Sequence, residues 1–270
     1  MARLEEYLIL KRRIFMQTAK SLKPVSLLAS VAIFGISFTL IFLALYVVIP
    51  SMMKIGISFM VGYLIFFYLP FVLIFFSAFL LLKAEGLKLS WPVIKSRYRL
   101  NKIDRKTWMW TAGLLVIWLV VLLFVQPPVG KTMAQIPFFA PPSYFPPEIN
   151  PNLAPSANGM MFGMELAGKW WIIPVYFVGW FFNIFGEEFL FRGYLLPRQE
   201  LAYGKYAWLI HGTMWGLWHL FWKWNIITLL ITALSLSYVV QKTKNIYVGI
   251  IVHGSLNFIP LIMIVVNVIG

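Results

Sequence analysis

The charged residues of this chain are bunched, and seven long stretches between the bunches carry none. These run from Val25 to Met53, Ile55 to Leu82, Thr107 to Gly130, Trp170 to Gly186, Tyr206 to Trp222, Trp224 to Gln241 and Asn245 to Gly270. About 20 apolar residues make a helix long enough to cross the ~30 Å hydrocarbon core of a bilayer, and backbone groups there must pair internally. The pattern predicts an all-α, polytopic transmembrane helical bundle of about seven to eight spans. The stretch beginning at Trp170 is short by itself, so its helix is expected to continue through the polar residues that follow, to about Pro197.

Composition agrees with this reading. Of 270 residues, 61% are hydrophobic and 12% charged, whereas soluble domains are roughly half apolar and a quarter charged. A net charge of +14 raises the question of nucleic acid, and its placement answers it. With the N-terminus cytoplasmic and seven alternating spans, only Lys54, Lys131, Lys169 and Lys223 of the 23 lysines and arginines fall outside. That bias is the positive-inside rule, so the partner is the lipid bilayer, not nucleic acid. There is no cysteine, which removes disulfides, thiolate metal sites and a cysteine nucleophile. The first apolar stretch is too long for a signal-peptide core and is read as a retained span.

The organisation expected is a cytoplasmic amphipathic or basic segment (1–24) followed by one integral-membrane domain (25–270). Within it lie a basic cytoplasmic connector (83–106) and a proline-rich external loop (126–168) holding nine of the 16 prolines. Such a loop resists regular helix; it is read as a stiff, extended linker whose aromatics sit at the headgroup level or cover the bundle as a lid. Thr228, Thr232 and Ser235 have helical spacing and suit close helix packing.

Ionisable groups within a span are costly and point to function. The stretch NIFGEEFLFRGYL holds three of them. Arg192 is four residues after Glu188, so the two share a helix face and can pair; Glu187 faces elsewhere, without a local cation, and suits a general base. His253 and Asn257 lie at i and i+4, with Gly249 leaving their face open, and can offer N–H donors to one developing oxyanion. His219 is free to bond Glu187 or a water that Glu187 activates. His211, eight residues earlier, is read as structural or interfacial, and Trp215 and Trp218 as pocket wall or core. The only aspartate is Asp104, in the connector, and neither His-Glu-x-x-His nor Gly-x-Ser-x-Gly occurs. What remains is water activated by a carboxylate, with no cofactor and no metal. A divalent metal on Glu187, His219 and His253 is the alternative, as is a polar cluster serving a non-catalytic scaffold, immunity protein or transporter.

Together EEFLFR (Glu187 to Arg192), WGLWH (Trp215 to His219) and HGSLN (His253 to Asn257) resemble the motifs of the type II CAAX prenyl endopeptidases and their bacteriocin-processing relatives, the CPBP or ABI family. The resemblance covers about residues 170–260. It implies that Glu187 with His219 activates water, that His253 with Asn257 binds the oxyanion, and that Glu188 and Arg192 support the site. It further implies an intramembrane endopeptidase acting near the C-terminus of a prenylated CAAX-type or other membrane-associated peptide, at a site open to the cytoplasm. Trp215 stands where phenylalanine is common in that family, a departure read as of little weight, and the proline-rich loop is longer than the family's.

Overall fold

The computed structural model describes residues 22–270, so nearly all of the expected amphipathic segment 1–24 lies outside the described residues. The chain forms helices α1 (Leu27–Lys54), α2 (Phe59–Ala84), the short α3 (Trp91–Arg97) and α4 (Arg105–Met133). After a long loop come α5 (172–203), α6 (Ala207–Trp218), α7 (Ile226–Thr243) and α8 (Tyr247–Ile269). Ser26, Ser58 and Asp104 start α1, α2 and α4 by accepting from the backbone N–H three residues on, of Ala29, Val61 and Thr107, the usual N-cap device. The outward faces of these helices are apolar, with Leu28, Ile36, Leu80, Met109 and Phe124 all more than 60% exposed. An all-α bundle with such a surface is an integral membrane protein.

The number of spans differs from expectation. Five helical stretches are long and apolar enough to cross a bilayer, against the seven to eight expected. The difference lies in residues 172–243, which form one 72-residue helical stretch. It folds back at Gly204, where φ is 57°, and at Trp222, where φ and ψ are −111° and 49°, beside Lys205 and Lys223. Within it α6 has 12 residues, about 18 Å at 1.5 Å per residue, well short of the ~30 Å hydrocarbon core.

Four widened turns interrupt the α-geometry, at Ala44–Val48, Tyr63–Phe67, Val121–Val125 and Glu188–Leu195. Each is followed closely by a proline: Pro50, Pro70, Pro127 or Pro197. A proline has no N–H to return and its ring clashes with the carbonyl four residues back; a π-turn before it accommodates both. This is why α4 continues through Pro127 and Pro128 to Met133, rather than giving way to a loop at 126 as the proline content suggested.

Loop 134–171 is folded onto the bundle, not held away from it. It contains a two-residue hairpin, Met160–Met161 with Met164–Glu165. Phe145 and Phe162 are buried, and the Tyr144 hydroxyl donates to the Leu45 carbonyl at 3.0 Å. Phe145 packs edge-on against Trp222 and Trp224. At the other end of the bundle the connector is tied down by ion pairs. Arg99 donates both Nη atoms to Glu200 at 2.7 and 2.8 Å, Lys244 also reaches Glu200, and Arg198 pairs with Glu85 at 2.6 Å.

Close helix approach depends on glycine at two places. The Gly186 backbone lies on α2, where a Cβ would be 2.9 Å from the Phe71 carbonyl oxygen. Gly212 and Gly216 seat α6 on α7 at Leu234 and Leu230, a small-xxx-small contact of the kind common between membrane helices. The hydroxyls of Thr228, Thr232 and Ser235 bond carbonyls of their own helix or its leading turn, and Ser235 also accepts from Trp118 Nε1. The series therefore does more than pack.

Candidate active site

The acidic pair spans the point where the α-helical part of α5 passes into its widened turn, Glu187 ending the first and Glu188 opening the second. Both are fully buried, as is Arg192. The two carboxylates have different partners. Glu187 Oε1 accepts from Asn183 Nδ2 at 2.8 Å and Oε2 from Trp215 Nε1 at 2.8 Å. Both donors are neutral. Glu188 Oε1 accepts from Arg192 Nη1 at 3.1 Å and from His253 Nδ1 at 3.0 Å, so the local i,i+4 pair forms as its spacing predicts and is joined by a third group from α8.

Gly249 has a different use from the one expected. Any Cβ there would collide with the Glu188 carboxylate, so the missing side chain makes room for this buried anion and not for a substrate.

Trp215 connects both halves of the site. Its N–H reaches Glu187, its ring lies 3.5 Å from the Arg192 guanidinium carbon, and its carbonyl accepts from His219 Nδ1 at 2.8 Å. Sequence reasoning assigned it to the wall or core. The signal available was the departure itself, since tryptophan carries a donor that phenylalanine lacks.

The hydrogen bonds fix the ring states of both histidines. A carbonyl only accepts, so His219 carries its proton on Nδ1 and presents a lone pair at Nε2. The ring is gripped edge-on by Trp215 and Trp218 at 4.9 and 4.8 Å. His253 likewise gives its Nδ1 proton to Glu188, so its Nε2 is an acceptor in the neutral ring and a donor only in the imidazolium. Asn257 spends one amide N–H on the His253 carbonyl at 3.0 Å and keeps the other. His253 and Asn257 therefore share a face as their spacing predicts, but they are not two ready-made neutral donors.

Glu187, His219, His253, Asn183 and Asn257 all line one cavity of about 230 Å³, enough to hold water beside a reacting group. From Glu187 the cavity extends along α5 past Asn183 and Trp180 to Tyr176. That direction is toward loop 134–171 and away from the basic connector, from which access was expected. His211 is outside the cavity, fully buried, with Nδ1 2.7 Å from Gln199 Oε1; this matches its structural reading. Among the described residues no three histidine, aspartate or glutamate side chains converge on a point that could hold a metal ion.

No curated protein and no solved structure matches the chain. Residues 169–259 match the family model described as Rce1-like, type II CAAX prenyl endopeptidase Rce1-like. That stretch holds the acidic pair, both cavity histidines and Asn257, and by it the chain is similar to the type II CAAX prenyl endopeptidases.

Proposed function

We propose that the protein is a glutamate-dependent intramembrane endopeptidase. It hydrolyses a peptide bond near the C-terminus of a prenylated CAAX-type or other membrane-associated peptide. The observation that carries this reading is Glu187, a carboxylate held only by neutral donors at the wall of a water-sized cavity, with His219 lining the same space. A water in the cavity gives one proton to Glu187 and directs the other toward the His219 Nε2 lone pair, and its oxygen attacks the peptide carbonyl. The oxyanion formed accepts from the free Asn257 N–H and from His253 Nε2, which is a donor when the ring is an imidazolium balanced by Glu188. When the C–N bond breaks, the amine leaves with the proton held by Glu187. Arg192 and Glu188 hold this arrangement without touching the substrate. The N-terminus and connector are assigned to the cytoplasm on the charge distribution.

The test is cleavage of membrane-anchored fluorogenic peptides, including a farnesylated CAAX peptide, by protein purified in detergent. Glu187→Gln is expected to lower the rate at least 100-fold, the lower range for general-base loss, and a chelator is expected to leave it unchanged. Activity lost to the chelator and restored by a divalent cation would move Glu187, His219 and His253 to the role of ligands. Full biological activity in Glu187→Gln would assign the cluster to a non-catalytic scaffold.

A further inference from the structure

Every part of the cavity lies level with Glu187 or on one side of it. On α5 the lining residues Tyr176, Trp180, Asn183 and Glu187 form a stripe about 16 Å long at 1.5 Å per residue, running back toward the loop. On α8 the sequence His253, Asn257, Pro260 runs the same way in space, because this helix ends beside the loop, where the Val268 carbonyl accepts from Gly168 N at 3.0 Å. On α7 the lining residues are Leu229 and Thr232, in the half remote from Lys244 and its Glu200 contact. No residue of the connector, of the last two turns of α5, or of the turn between α7 and α8 borders the space.

The basic side is closed by packing. Glu188 and Arg192 are wholly buried, and so are Leu195, Leu196, Gln199 and Ile246 beyond them. The Tyr98 ring lies against the Gly193 backbone, where a Cβ would be 2.9 Å away. The far axial end is closed as well, by Phe145 against Trp222 and by Phe162 against Tyr63 at 4.7 Å. Between these two plugs the half-buried lining positions are Trp180 and Asn183 of α5, His219 and Trp222 at the end of α6, Leu229 and Thr232 of α7, and Asn257 and Pro260 of α8.

We infer that water and substrate reach Glu187 from the loop side, through the lateral wall formed by α5, α7 and α8, and not from the basic face. Resting on the hydrolase reading above, this narrows the substrate to a membrane-anchored peptide whose scissile bond is presented on the face opposite the basic connector. By the positive-inside rule that face is the non-cytoplasmic one. The loop is then a lid over the axial end, which leaves a lateral entrance in the adjacent leaflet.

The chain has no cysteine, so single cysteines can report access without prior removals. Ser143→Cys in the exposed loop and Lys88→Cys on the exposed connector mark the two faces. Sealed vesicles of both orientations are treated with a small, charged, membrane-impermeant thiol reagent. Leu229→Cys is expected to react from the face on which Ser143→Cys reacts and to be protected from the other. Reaction from the Lys88→Cys face, or from neither, overturns the proposal. Thr232→Cys repeats the test if Leu229→Cys does not elute as a folded protein. The measurement is independent of catalysis. Loop-side reaction with no peptide hydrolysis would support the entrance and remove the hydrolase, and hydrolysis with connector-side reaction would do the reverse.

Discussion

Trp215 Nε1 donates to Glu187 Oε2 at 2.8 Å while the same indole ring carries the Arg192 guanidinium at 3.5 Å from its centroid. One side chain thus orients the base and stacks on the guanidinium that is paired with Glu188.

Trp215→Phe separates these two roles, because the ring under Arg192 stays and the donor goes. A hydrogen bond to a charged group contributes about 1.5–3 kcal/mol. The variant is expected to keep its thermal stability to within a few degrees and to lose roughly ten- to a hundredfold in kcat/KM. Steady-state kinetics with an unchanged kcat/KM would show that the indole N–H does not position Glu187.

Arg192→Ala leaves the buried Glu188 carboxylate with only His253. Breaking a buried pair by removing one partner costs about 3–5 kcal/mol, so thermal unfolding in detergent should show a large loss. Adding Glu188→Gln removes the uncompensated charge and is expected to recover much of it. A double variant no more stable than Arg192→Ala would contradict the pairing.

Gly249→Ala places a methyl group against the Glu188 carboxylate. Overpacking of this kind costs about 1–3 kcal/mol, and the displaced carboxylate should carry His253 with it, so stability and activity fall together. Gly35→Ala is the control, since nothing lies within 4 Å of a Cβ there; its unfolding temperature is expected to be unchanged or slightly raised.

Phe145→Ala removes the loop's buried anchor, 1% exposed and set among Tyr46, Phe59, Trp222 and Trp224. Truncating a buried phenylalanine costs about 3–5 kcal/mol, here concentrated where the loop meets the bundle. Limited proteolysis should cut residues 134–171 much faster in the variant while the helices resist. A loop as resistant as the parent's would mean that other contacts hold it down.

The sequence by itself determined what depends on short range. Long uncharged runs force helices in lipid, because unpaired backbone is too costly there, and an i,i+4 spacing puts Glu188 and Arg192, or His253 and Asn257, on one face of any helix. The class of fold and the residues around the cavity were therefore legible. Tertiary structure decided what depends on distances between helices. It gave His253 to Glu188, brought the Trp215 donor to Glu187, and filled the space at Gly249 with a carboxylate, none of which follows from periodicity along one segment. The span count and the end of α4 were illegible for a related reason. Charges at Lys205 and Lys223 mark both turns of the 72-residue stretch, but not how little helix lies between them: α6 has 12 residues, and a widened turn lets prolines continue a helix they would otherwise end. The side toward which the cavity extends from Glu187 belongs to the same class, because it is set by how the ends of six helices pack.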